Sequence, residues 1–395
     1  MIKQKMAQHY IETDGAVFCV AFSPDGLQLA AGTGSFYGAG QLMLLTLNTL
    51  DNSVTGVNKP QCVSLNQQKP HHKTPDILAR PQGVSATALY FTPDNQQLWV
   101  ATSASRREQG PLFCFELSNG GLQLPVPITM PSMNHQYPDG FVHSGNQLFI
   151  CGHSMSGYSE GYICHLDITS DRAQYSSSSK LLLIDDQLIT PGKPQPTLVQ
   201  GSRPDKHSYQ FGLSFAPATL PEAELNQLGT KMDQESAPPV FMQHKASNSI
   251  PVEHAILCLA QQPGKAHFNT GNAAGQLHHW WFEGQWHNRL ISPEKVPEPT
   301  KTLLIKDSIF AANCVVAMQY LPDNQGWLSL HANGLLLQWR DDEIVQYAQV
   351  SDLGTPRCMA LHPTLPLLAI GLKHNSELQG AGIVLLDISN WSSGC

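Results

Sequence analysis

Val17-Phe18-Cys19-Val20-Ala21-Phe22-Ser23-Pro24-Asp25-Gly26-Leu27-Gln28-Leu29-Ala30-Ala31-Gly32 decides how the chain is built. It is an apolar run, a Pro-Asp-Gly turn and a second apolar run. Val and Phe suit a pleated, half-buried surface. Pro24 presets the backbone for a turn, and Gly26 takes a positive φ at little cost. Gly40-Gln41-Leu42-Met43-Leu44-Leu45-Thr46 supplies a third strand. The unit is strand, tight turn, strand, loop, strand.

The unit recurs. Its turn returns as Thr92-Pro93-Asp94-Asn95, Gln262-Pro263-Gly264-Lys265, Leu321-Pro322-Asp323-Asn324 and His362-Pro363-Thr364-Leu365. Its third strand returns at Gly110–Glu116, Gly161–Asp167, Gly275–Trp281, Gly334–Arg340 and Ala381–Asp387. Each copy places a large apolar residue five positions after its opening small residue: Leu45, Phe115, Leu166, Trp280, Trp339, Leu386. A pattern repeated along one chain marks a repeat architecture. The Ser-Pro-Asp-Gly-type hairpins, and third strands ending in Leu166-Asp167 or Leu386-Asp387, make the chain resemble the WD-repeat β-propeller family over nearly its whole length. It departs from that family in having no Trp-Asp ending and no evident Gly-His pair before a repeat. The resemblance implies an all-β propeller and a role as an assembly platform.

The spacing predicts seven four-stranded blades. The gap between Leu166 and Trp280 is roughly twice the others, so one blade is hidden there. Tyr209–Pro217 is read as its inner strand and turn, Val240–Gln243 as its third strand, and 218–239, polar and rich in Glu, Gln and Pro, as an insertion. Lys180–Ile184 is read as the outer strand of the third blade. The whole of 1–395 is expected to be one domain. Its blades are placed near 16–83, 84–138, 139–199, 200–250, 251–300, 301–354 and 355–388 plus 1–15. The last blade lacks a fourth strand, because only Ile388 to Cys395 follow its third. Gln8-His9-Tyr10-Ile11-Glu12-Thr13 has strand-type residues and no blade of its own. It is expected to pair beside Ile383–Ile388 and close the ring. No stretch has sustained helical periodicity.

Composition narrows the function. The net charge is −8, and no basic stripe opposes it, so nucleic acid is not an expected partner. No run approaches the roughly 20 apolar residues of a membrane span, and Met1 to Asp14 has no core of signal-peptide length. Nine cysteines, most inside strands, read as small buried hydrophobes in a reducing cytoplasm.

Catalytic motifs fail on inspection. Gly152-His153-Ser154-Met155-Ser156-Gly157 has Ser where a nucleophile elbow needs its second Gly, and no helix follows. His278-His279 would point to opposite faces of a strand and cannot chelate one ion. His71-His72 lies in a loop without a third ligand nearby. Cys19, Cys258 and Cys358 each stand five residues before a turn proline, where other repeats carry Ala88 and Ala317. A metal-binding thiol ring fits that spacing, but close packing explains Cys and Ala together. No cofactor and no metal site is expected.

Loop lengths point to a binding surface. The second-to-third-strand connection is short at Thr270–Ala274 and His331–Asn333. It is longer at Thr33–Ala39, Ser103–Gln109, His153–Glu160 and Leu372–Gly380. In a closed ring these four longer loops emerge side by side on one face. They carry Phe36, Tyr37, Arg106, Arg107, Tyr158, Lys373 and His374, types enriched where partners dock. The expected function is a non-enzymatic scaffold, monomeric or a subunit of a larger complex, that binds a protein or peptide on that face. The alternative is a propeller enzyme of the metal-assisted lactonase or hydrolase type, or a small-ligand sensor, with its site in the central channel. The inner strands offer mostly Val, Ala, Cys, Phe and Leu there, which disfavours it.

Overall fold

A computed structural model describes residues 2–3, 8–34, 40–50, 53–65, 84–104, 112–118, 121–122, 126–128, 136–144, 147–154, 161–167, 175–176, 181–184, 197–202, 211–217, 242–244, 248–291, 313–322, 326–350, 354–373 and 381–392. Nearly all of them are strand. The chain begins with β1 (Ile2–Lys3) and β2 (Gln8–Thr13), which belong to the last two sheets. Sheet one follows: β3 (Ala16–Phe22), β4 (Gln28–Gly34) and β5 (Gln41–Leu50), with β6 (Ser53–Val57) and β7 (Gln61–Ser64) sharing the outer position. Sheet two has β8 (Val84–Phe91), β9 (Gln97–Ala104), β10 (Leu112–Ser118), β11 (Gly121–Leu122) and β12 (Val126–Ile128).

The hairpin turn works as its residues require. Ser23 Oγ donates to Asp25 Oδ1 (2.6 Å) and accepts from the Gln28 amide (2.9 Å). Thr92 repeats both bonds with Asp94 and Gln97 at the same distances. The residue after each Asp is left-handed, Gly26 at φ 73° and Asn95 at φ 57°, a conformation these two residue types tolerate.

Sheet three contains β13 (Gln136–Ser144), β14 (Gln147–Ser154), β15 (Gly161–Asp167) and β16 (Tyr175–Ser176). Sheet four contains β17 (Leu181–Ile184), β18 (Thr197–Ser202), β19 (Phe211–Pro217) and β21 (Asn248–Val252), while β20 (Met242–His244) pairs with β15. Three expectations fail here. Leu181–Ile184 opens sheet four rather than edging sheet three, so the boundary expected near 199 lies before 181. Phe211–Pro217 is a third strand, not an inner one. The segment read as the third strand of the hidden blade instead supplies the outer strand of sheet three. The reason is legible afterwards: Leu-Leu-Leu-Ile is a continuous apolar run, which suits a strand covered on both faces. The proposed insertion at 218–239 lies outside the described residues.

Sheet five has β22 (Ile256–Gln261), β23 (Phe268–Asn272), β24 (Leu277–Phe282) and β25 (Trp286–Ile291). Sheet six has β26 (Val315–Tyr320), β27 (Trp327–His331), β28 (Leu335–Arg340) and β29 (Glu343–Gln349), with β1 parallel to β29. Sheet seven has β30 (Thr355–Leu361), β31 (Leu367–Lys373) and β32 (Ala381–Asp387). Its fourth strand is β2, antiparallel to β32 from Gln8↔Leu386 to Thr13↔Ala381. The Tyr10 hydroxyl adds a bond to Ala381 O at 2.9 Å. The N-terminal closure expected from the sequence is therefore present, and β1 carries it one sheet further. A four-residue helix, Ser389–Ser392, ends the described chain and buries Trp391.

The first strand of each sheet touches the first strand of the next, and β30 meets β3, so the arrangement closes. Cores lie between sheets. On β32, Ile383 and Leu385 pack against Val17, Leu29 and Leu45 of sheet one. Val384 and Leu386, on the opposite face, pack against sheet six with Trp391. Both faces are buried, so the strand is apolar from Ala381 to Leu386, and only Asp387 at its end is polar and exposed. The large residue at the end of a third strand ties the sheet together. Trp280 Nε1 donates to Thr270 Oγ1 (3.0 Å) and Trp339 Nε1 to Ser329 Oγ (2.9 Å). The Ser329 hydroxyl donates on to His331 Nε2 (3.2 Å), and His331 Nδ1 donates to Asn313 O (2.8 Å).

Candidate partner-binding face

The first strands of six sheets carry a register shift near their start: Val17/Cys19, Ala86/Ala88, Pro138/Gly140, Ile256/Cys258, Val315/Ala317 and Pro356/Cys358. One extra residue is left unpaired at each, as in a β-bulge. The residue after the bulge is small because the next sheet packs against it. Cys19 faces Gly32, Cys258 faces Gly271 and Cys358 faces Gly371. A methyl at any of these glycines would collide with the facing sulfur and with Ala86, Val315 or Val17 of the neighbouring sheet. Where the bulge is followed by Ala88 or Ala317, the facing residue is instead Ala101 or Leu330. The volume is shared between the two positions.

Each of these thiols also reaches the next sheet. Cys19 Sγ donates to Ala86 O (3.6 Å), Cys258 Sγ to Val315 O (3.7 Å) and Cys358 Sγ to Val17 O (4.0 Å). The acceptor is always the residue just before the neighbour's bulge. Burial pushes the Cys358 thiol up to about 12 and the Cys19 thiol well above its usual value. These cysteines are packing groups whose thiols bond to backbone.

The bulged residues have the opposite character. Phe18, Thr87, Leu257 and Val316 are partly exposed and Arg357 is exposed, while residues beside them in the strands are mostly buried. Among the described residues, no strand pairs with the inner edges of β3, β8, β22, β26 or β30, where they stand. Arg357 Cζ lies 5.0 Å from the centre of the Phe18 ring, so bulges of sheets seven and one meet in a cation–π contact. Lys373 ends β31 and is in register with Thr355, which places it at the same end of sheet seven. Crowding lowers the Lys373 pKa, and Arg357 beside it lowers it further. Crowding also lowers that of Arg357. Neither cation has a carboxylate partner among the described residues.

Of the residues expected at the rim, Lys373 is described and exposed. Phe36, Tyr37, Arg106, Arg107, Tyr158 and His374 lie outside the described residues. The connections that are described at this end are tight: Asn272 Oδ1 accepts from the Ala274 and Gln276 amides, and Asn333 Oδ1 accepts from the Leu335 amide. The bulged positions are functional candidates that the sequence reading passed over. Their signal was available, since each of the five just named immediately precedes the small residue that stands five before a turn proline, or its Ala equivalent.

Among the described residues, no group of three metal-ligating side chains occurs, and no helix is long and apolar enough to cross a membrane. His279 Nδ1 lies 2.7 Å from Asn269 Oδ1.

No protein-family model matches the chain, and no curated protein matches it. Solved structures do. The WD40 repeats of RRP9 align with a TM-score of 0.54 at 9% identity, covering 98% of this chain and 99% of that one. U3-55K aligns with a TM-score of 0.54 at 8% identity, covering 96% and 98%. The β-propeller domain of Cps50 (Swd1) from Myceliophteria thermophila aligns at 0.52 and 12% identity, covering 97% and 100%. The chain has the fold of a WD40-repeat β-propeller.

Proposed function

We propose that the chain is a non-enzymatic, seven-bladed scaffold that binds an acidic segment of a protein partner on the face where second-to-third-strand connections emerge. The contact between Arg357 and Phe18, with Lys373 beside it, carries this reading. It is a cationic, partly aromatic centre in a chain whose net charge is −8. An acidic side chain would supply the opposite charge, and apolar Leu257 and Val316 would line its approach. The loops bearing Phe36, Tyr37, Arg106, Arg107, Tyr158 and His374 would surround it as a crescent. WD40-type folds serve widely as platforms for protein assembly, which supports the class of function and names no partner. Free thiols at Cys19, Cys62, Cys114, Cys258, Cys314 and Cys358 support a reducing, cytoplasmic setting.

The test is affinity purification followed by quantitative binding of the partner recovered. Arg357→Glu with Lys373→Glu should weaken binding at least about tenfold. Tyr37→Ala with Arg106→Ala should weaken it with the melting temperature nearly unchanged, since surface changes usually stay within about 0.5 kcal/mol. Unaltered affinity in both double variants rejects this face.

A further inference from the structure

A polar cleft of about 270 Å³ opens between sheets five and six at the end carrying the tight turns, opposite the bulges. Its wall includes Lys265 from the β22–β23 turn, His279 and Arg289 from β24 and β25, Arg340 at the end of β28, and Asp341 and Asp342 from the turn that follows. Three cations converge there in an acidic chain.

Two features mark the cleft as built. Asp341 and Asp342 both adopt left-handed backbone, at φ 47° and 63°. A two-residue hairpin of this kind normally takes Asn-Gly, and such conformations in other residues persist where the surroundings hold them. Here the turn delivers the Asp342 carboxylate to Arg289 of the adjacent sheet as an ion pair. Second, cations outnumber carboxylates along the wall, Lys265, Arg289 and Arg340 against Asp341 and Asp342. Burial chiefly, with His267, Arg289 and Lys265 adding to it, lowers the His279 pKa to about 4. The Lys265 ammonium has no ion pair among the described residues.

We propose that this cleft binds a phosphoryl group, gripped by Lys265, Arg289 and Arg340. A tetrahedral dianion has enough acceptor oxygens to be shared by one ammonium and two guanidiniums, and guanidinium forks match it in pairs. A single carboxylate would only duplicate what Asp342 already gives Arg289. The group could be borne by a phosphorylated peptide side chain or arrive as free phosphate. The site is independent of the partner face, being at the other end of the sheets.

Calorimetric titration of the full chain tests it with three probes: inorganic phosphate, a neutral phosphoserine peptide and its unphosphorylated form. Both phosphorylated probes should saturate at one site, and the unphosphorylated peptide should not bind. Lys265→Glu, an exposed turn position, should weaken phosphate binding at least about tenfold. Lys59→Glu, the same charge change on sheet one, should leave it within about twofold. Tighter binding of the phosphopeptide than of free phosphate identifies a phosphorylated segment as the source, and equal binding identifies free phosphate. No saturable binding by either phosphorylated probe, or equal losses in Lys265→Glu and Lys59→Glu, overturns the proposal.

Discussion

The seam between sheets seven and one and the seam between sheets five and six start alike and end differently. Near the bulges both are stitched by a thiol to a backbone carbonyl, Cys358 to Val17 and Cys258 to Val315. At the turn end they diverge. His362, the residue before Pro363, fills the first seam. Its Nε2 donates to Gly26 O (2.9 Å), its Nδ1 accepts from the Thr364 and Leu365 amides, and its ring meets Phe22 edge-on at 5.0 Å. Gln262, the residue before Pro263, instead lines the cleft between sheets five and six. The first seam joins the two ends of the chain, where no covalent connection runs through the repeat. The second has the chain continuing across it.

The largest effect should come from removing the N-terminal strand that closes sheet seven. Deleting residues 1–13 takes away the fourth strand of sheet seven, the Tyr10 bond and the reach of β1 to sheet six. It also exposes the edge of β32, which folded proteins avoid. The whole domain should lose stability cooperatively in a thermal melt. A truncated protein that melts like the full chain breaks the account of the seam.

Acid comes next. His331 must be neutral to accept from Ser329 and donate to Asn313, and burial holds its pKa near 4. His362 is likewise neutral in its three-bond geometry, with its pKa lowered chiefly by burial. The unfolded chain binds protons at these histidines near pH 6.5 while the folded one does not. The stability they contribute is therefore complete above about pH 6.5 and declines as pH falls below it, down to about 4 for His331. For His331 the span corresponds to about 3 kcal/mol. Melting temperature measured from pH 7.5 to 4.5 should fall, and a flat profile contradicts these tautomers.

His362→Gln, which makes the first seam resemble the second, should cost about 1–2 kcal/mol through the lost bonds. Denaturant unfolding measures it. A smaller and more particular effect concerns volume sharing. Gly371→Ala should destabilise, and adding Cys358→Ala should recover part of the loss, because the pair then matches Ala88 and Ala101. A strictly additive double variant would show that the facing positions do not share space.

The repeat unit, the turn chemistry and the N-terminal strand were legible because each is local or is forced by a missing strand. Ser23 and Thr92 announce their own bonding, and Gln8–Thr13 reads as a strand with no sheet of its own. The order of strands around Leu181–His244 was not legible. There the chain leaves sheet four, edges sheet three and returns, so sequence order and sheet order separate. The candidate site was half legible. Small residues before the turns were visible as a packing rule, yet the residue preceding each one became prominent only through the register shifts. Arg357 in particular looks like an ordinary strand residue until its bulge places it over Phe18.

Hydrogen–deuterium exchange of the free protein against its complex with the recovered partner tests the proposed binding face most directly. The account predicts new protection at the starts of the innermost strands, Ala16–Cys19 and Thr355–Cys358, and at the end of β31 beside Lys373. Protection confined to the turn end, around Gln262–Lys265 and Arg340–Asp342, would contradict it.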